Sequence, residues 1–222
     1  MLRPSEEIKK DVVDQLYWDN RVDASDVSVA VDGSHVRLEG SVPSLVARRS
    51  AETDSWAVRG VTDVSNHIAV EFGEPVPPVE DAELHVRRMI EWNPDLRNEG
   101  IEVSSSDSLI VLDGTVDSYW KKLHAETIAL DVLGVSGVEN RIQVVPSQSI
   151  LDETLAANVE KALVRNIAVD ERTIEVTVQN GIVTLSGTVA TRAERNAAYE
   201  SALFTVGVRE VQDFLKVQGS RV

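Results

Sequence analysis

Apolar residues recur along this chain in two alternating rhythms. After Ser5, residues Ile8, Val12, Val13 and Leu16 stand at helical spacing, which predicts a helix with one buried face. Ser5 suits its N-cap, and Glu6 and Glu7 suit its first turn. The rhythm then shortens. Val27, Val29 and Val31 alternate with polar residues, Asp32-Gly33-Ser34 interrupts them, and Val36 and Leu38 alternate again. Alternation on both sides of Asp-Gly predicts a β-hairpin, because that turn needs positive φ. A second helical stretch, "SLVARRSAETDSWAV", precedes Gly60, and "VTDVSNHIAVEF" supplies a third strand. The order is α-β-β-α-β.

The whole succession returns twice. "VRLEGSV", "IVLDGTV" and "VTLSGTV" place Gly40, Gly114 and Gly187 at spacings of 74 and 73 residues. Gly60, Gly134 and Gly207 keep the same two spacings, as do Leu38, Leu112 and Leu185, and Ala51, Ala125 and Ala198. Asn66, Asn140 and Asp213 share one further column. First helices are predicted again from Leu84, Val86, Met89 and Ile90 after Asp81, and from Leu155, Val159 and Leu163 after Asp152. A hairpin is marked by Asn180-Gly181 but only weakly by Asp107-Ser108. The period is too long for a thin solenoid turn, so each unit is read as a small domain. Expected units are residues 1–73, 79–146 and 150–219, separated by the Pro-rich "EFGEPVPPVED" and the shorter "VVPSQSILD".

A β-α-β crossover puts both helices of a unit on one sheet face. The expected fold is therefore α+β: three tandem two-layer units, each with two helices on a three-stranded mixed sheet. In this frame Gly40, Gly114 and Gly187 close the second strand where a Cβ would be blocked. None lies in a P-loop or dinucleotide-binding pattern. Gly60, Gly134 and Gly207 are expected at helix C-caps.

The paired stretches carry a resemblance. "DGSHVRLEGSV", "SDSLIVLDGTV" and "NGIVTLSGTV", followed by "GVTDVSNHI", "GVSGVENRI" and "GVREVQDFL", are similar to the two motifs of the BON domain, named for bacterial osmotically inducible and nodulation proteins. The resemblance covers nearly the whole chain. It implies a non-enzymatic module of osmotic or envelope stress, with phospholipid as a suggested ligand and no catalytic residues or cofactor. Two departures stand out: the second unit lacks the hairpin glycine, and Asp213 replaces Asn in the third, so that unit's last strand is expected to end differently.

Composition narrows the partners. The formal net charge is −15, which disfavours nucleic acid, whose phosphates need a concentrated basic surface. It also disfavours unaided docking on an anionic membrane. The units are unequal: residues 1–73 hold 8 basic and 13 acidic residues, 74–146 hold 6 and 14, and 147–222 hold 8 and 10. The third therefore repels an anionic surface least. There is no cysteine, so thiolate chemistry is excluded. No stretch reaches the ~20 apolar residues of a membrane span. A native start at Met1 implies a cytoplasmic protein, and a removed signal peptide a periplasmic one.

Chemistry-bearing residues do not recur with the repeat. His35, His67, His85 and His124 fall in different contexts without metal-ligand spacing, so no metal or cofactor is expected. Aromatic residues are more informative. Trp18 and Trp92 occupy one column just past the first helix's apolar face, where the third unit has Arg165. They are read either as packing at a helix end or between units, or as exposed anchors for lipid or protein. Tyr119, Trp120, Lys121 and Lys122 form the best aromatic-basic cluster, with Arg48 and Arg49 at nearly the same place in the first unit. Two functions follow as expectations. The leading one is a tandem-domain stress protein binding a phospholipid surface or a protein partner. The alternative is an abundant, highly charged protective or weakly chaperone-like protein. Oligomeric state is left open.

Overall fold

The computed structural model describes residues 3–72, 78–106 and 109–218. Asp107-Ser108 and residues 73–77 of the Pro-rich linker lie outside the described residues. The first unit comprises α1 (Ser5–Trp18), β1 (Val27–Asp32), β2 (His35–Val42), α2 (Leu45–Ala57) and β3 (Asp63–Val70). The second comprises α3 (Val79–Trp92), β4 (Gly100–Ser106), β5 (Leu109–Val116), α4 (Tyr119–Leu130), β6 (Gly137–Asn140) and β7 (Gln143–Val144). The third comprises α5 (Asp152–Arg165), β8 (Ile174–Gln179), β9 (Ile182–Val189), α6 (Arg192–Leu203) and β10 (Glu210–Val217). The expected α+β architecture is present three times.

In each sheet the second strand is central. β2 runs antiparallel to β1 and parallel to β3, and β9 does the same between β8 and β10. The central strand sends Val36, Leu38 and Val42, or Val183, Leu185 and Val189, under the helices. The first helices answer with a narrow stripe at i, i+4 and i+8: Ile8, Val12 and Leu16; Ala82, Val86 and Ile90; Leu155, Val159 and Leu163. Val13, Leu84 and Met89, predicted for this face, lie off the stripe and are exposed.

Ser5 does not cap its own helix; Pro4 occupies that position. Its hydroxyl instead accepts from Gly33 N (3.1 Å), and Asp152 accepts from Asn180 N (2.7 Å) and Gly181 N (2.9 Å). The first helical residue thus secures the hairpin turn of its own unit. The turn residues Gly33, Asn180 and Gly181 all have positive φ.

Gly40, Gly114 and Gly187 have φ of 120°, 118° and 129° and face the first residues of β1, β4 and β8 or their neighbours. A Cβ there would stand 1.9, 1.8 and 2.1 Å from the carbonyl oxygens of Asp26, Gly100 and Thr173. The backbones approach too closely for any side chain. Gly60, Gly134 and Gly207 also have positive φ but are not C-caps. The helices end at Ala57, Leu130 and Leu203, so these glycines turn the chain in the link to the third strand.

The column Asn66, Asn140 and Asp213 fastens that third strand to the second helix. Asn66 donates to Arg48 O (3.0 Å) and Glu52, and Asn140 donates to Lys122 O (3.0 Å) and Glu126. Each side-chain oxygen accepts the N–H two residues on, from Ile68, Ile142 and Leu215. Aspartate cannot donate, and in the third unit Arg195 supplies the donor, 2.7 Å from Asp213. β10 runs unbroken, against the expectation for that unit. The interruption falls in the second unit instead, between β6 and β7, and Arg141 N still reaches Leu112 O there.

The three second helices meet head to tail. Leu45, at the start of α2, is buried in the second unit's core. Tyr119, at the equivalent position of α4, packs into the third unit's core. Arg192, at the start of α6, returns over the ring of Trp56 in the first unit, 4.2 Å from its centroid. The ends of the helices correspond too: Arg49 reaches Asp131, and Trp120 faces Phe204 with ring centroids 6.2 Å apart. One equivalent position therefore makes all three seams, and the units close a heterologous ring within one chain.

Candidate functional site

The first helices end on their aromatic residues, because Asp19 and Asn93 take extended backbone and stop them. Leu16 and Ile90 point into the core two positions earlier, so Trp18 and Trp92 are turned away from it. They are 79% and 78% exposed, and the reading that buried them at helix ends or between units does not describe them. Tyr17, 72% exposed, meets Trp18 edge to face at 5.2 Å between centroids. The column thus leaves a large amphipathic ring in water in each of two units, the arrangement that suits a wet–apolar boundary. In the third unit the nearby exposed apolar residue is Ile167 rather than an aromatic one.

The second candidate cluster has another role. No described side chain of α4 is fully exposed, because α4 lies between neighbours on both sides. Tyr119 is half-buried beside Tyr199, and burial raises the pKa of both phenols; each also bears on the other through their hydrogen bond. Trp120 contacts His124 and Phe204. Burial works against the charge of Lys121, but Glu99 and Asp117 (2.9 Å) hold its pKa above the ordinary value. The Lys122 carbonyl accepts from Asn140, and the Arg48 carbonyl accepts from Asn66. Arg49 is exposed, with Asp131 at 3.8 Å. The structure does not bring Tyr119, Trp120, Lys121 and Lys122 together as a free basic-aromatic surface. It makes Tyr119 and Trp120 a seam and neutralises Lys121.

One polar cluster was not visible in the sequence. Asp54 is buried on α2 with one carboxylate oxygen lacking a partner. Burial, then the neighbouring Asp19, push its pKa up to about 6. Asp19 itself is held below the usual carboxylate range by its hydrogen bonds from Arg21. The equivalent pair in the third unit is neutral, with Asn166 donating to Ser201 (3.0 Å). His35, by contrast, bonds Asp63 at 2.6 Å where β2 and β3 begin. Among the described residues no three His, Cys, Asp or Glu side chains gather as a metal site would require. No helix there is long and apolar enough to cross a membrane.

Comparison with known proteins matches the BON domain family at residues 4–71, 78–146 and 151–219. An uncharacterised protein from the gshII 5′ region of Anaplasma centrale is 25% identical over 153 residues, covering 65% of this chain and 99% of its own. Osmotically-inducible protein Y of Escherichia coli K12 is 25% identical over 130 residues, covering 56% of this chain and 65% of its own length. Among solved structures, the C-terminal domain of CdsD, a structural protein of the Chlamydia trachomatis type III secretion system, aligns over 94% of this chain and 96% of its own. Its identity is 15% and its TM-score 0.27, too low to bear on function.

Proposed function

Because this chain belongs to the BON domain family along almost its whole length, we propose that it is a non-enzymatic stress protein that binds a phospholipid surface through Trp18 and Trp92. The observation that carries the reading is the shared exposure of these two side chains at one position of two units. Two wet tryptophans on one chain can enter a boundary in succession, the second at high effective concentration once the first has entered. The likeness to an osmotically inducible protein supports the stress context. With a net charge of −15, the attraction has to be apolar rather than electrostatic, so it should persist at physiological ionic strength.

Vesicle co-sedimentation at low and physiological salt tests this. The protein should pellet with phosphatidylcholine–phosphatidylglycerol vesicles at both, and W18A/W92A should lose at least tenfold in apparent affinity. Equal pelleting of that variant would sink the anchor reading. Failure of the wild type to pellet, combined with suppression of client aggregation, would favour the protective reading that the acidic surface also supports.

A further inference from the structure

The three seams of the ring are not equal. The first two are filled: Leu45 enters the second unit's core, and Tyr119 enters the third's. At the third, no described residue of the third unit enters the first unit's core. Arg192 lies over Trp56 instead, and a cleft of ≈780 Å³ remains between the two units. That volume falls within the ~300–1,000 Å³ of ordinary small-molecule sites. It is also the seam that no linker spans.

The charge of the cleft runs against that of the chain. Among the described residues, Arg49, Arg59 and Arg192 line it with a single carboxylate, Glu52, in a protein with 37 acidic and 22 basic residues. Among the described residues no carboxylate lies within ion-pair distance of Arg192, and Asp213 is engaged by Arg195 at 2.7 Å. Burial, then the charge of Arg195, pushes the Arg192 pKa below its ordinary value. Asp213 and Glu52 act on it only from beyond ion-pair distance, and a half-buried guanidinium without a directly paired carboxylate is costly. Arg49 lies two helical turns before Trp56 on α2, hence on the same face. Its contact with Asp131 is long and exposed, so that guanidinium is available. Asn196 and Thr53 add polar groups to the walls.

We propose that this seam is a binding site for a phosphate-bearing anion, held between Arg192 of the third unit and Arg49 of the first. The planar fork of arginine matches phosphate and carboxylate in two parallel hydrogen bonds. Guanidinium groups on opposite walls favour a dianion, which a phosphate monoester supplies and a monocarboxylate does not. A bound phosphate group would also fasten the ring at the seam where Arg192 lies over Trp56.

Isothermal titration and thermal melting with inorganic phosphate, AMP and phosphatidic acid vesicles test the site. At least one probe should bind and raise Tm in a saturable way. R192Q and R49Q should each weaken it at least tenfold, while R141Q, an exposed arginine elsewhere, leaves it unchanged. Binding of phosphate or AMP assigns a soluble ligand, and binding of vesicles alone assigns a lipid headgroup. Circular dichroism melts of the unliganded variants show whether each is folded, and R192K, which keeps the charge without the fork, should lose affinity while folding normally. W18A/W92A should titrate inorganic phosphate and AMP like wild type, which separates this site from the tryptophan anchors. No response to any of the three probes, or equal binding by R192Q and wild type, overturns the proposal.

Discussion

Asp54 and Asp19 lie 35 positions apart in the sequence and meet only because α2 packs on the end of α1. Nothing in the local pattern marks them, whereas Gly40, Gly114 and Gly187 are legible at once because the repeat writes them three times. The consequence of the acidic pair is a pH dependence of stability. The Asp54 pKa is raised in the folded state to about 6, against 3.8 for the ordinary carboxyl. The folded protein therefore binds the proton more tightly than the unfolded chain. Its contribution is fully present below pH ~4 and is lost as pH rises through about 6. Asp19 has the opposite sign, contributing above its ordinary pKa and losing that contribution in acid. Arg21, at 3.8 Å, and Gln15 also face Asp54, and the arginine only partly offsets the effect. D54N, which gives Asp19 a neutral neighbour, should stabilise the protein by about 1–3 kcal/mol at pH 8 and by almost nothing at pH 4. Urea unfolding at the two pH values measures it, and an equal effect at both would remove the acidic pair as the cause.

At the scale of elements, the helices, hairpins and third strands follow from periodicity and from Asp-Gly or Asn-Gly turns. The joint between the second helix and third strand was half legible. The column Asn66, Asn140 and Asp213 is visible in the sequence, but its role needs the helix carbonyl that it reaches. Its change to aspartate in the third unit is compensated by Arg195, 18 positions earlier. A reader of the chain sees no reason to couple those two residues. N140A would leave the Lys122 carbonyl and the Ile142 N–H without these partners. The expected loss is about 1–3 kcal/mol, located in α4, β6 and β7. Amide hydrogen exchange should show faster exchange there and not in β8–β10. Uniformly faster exchange would mean that the column does not act locally.

The closed ring is the feature least legible in the sequence. Its seam position reads Leu45, Tyr119 and Arg192, three residue types with nothing in common, so no pattern of identity reveals it. Geometry fixes the column while chemistry differs from seam to seam, which is why a repeat search finds the units and not their arrangement. The Tyr119-Trp120 cluster was misleading for the same reason: a basic-aromatic run reads as an anchor until the neighbouring unit covers it. The ring predicts a displaced effect. L45A alters a residue of the first unit, yet its side chain fills the core of the second. The expected cost is about 2–5 kcal/mol, with protection lost in α3 and β5 rather than in α1 and β1. Loss confined to the first unit would contradict the seam.

The central claim is that Trp18 and Trp92 are wet in the free protein and enter an apolar boundary on binding. Acrylamide quenching of tryptophan emission, with and without phosphatidylcholine–phosphatidylglycerol vesicles, tests it most directly when wild type is compared with W18F, W92F and W18F/W92F. In the free protein the emission lost on removing these two residues should be its readily quenched part. With vesicles that part should shift to the blue and become shielded in wild type, shift by roughly half in each single variant, and be missing from the double variant. Contradiction would take one of two forms: both tryptophans shielded before vesicles are added, or both freely quenched and unchanged after.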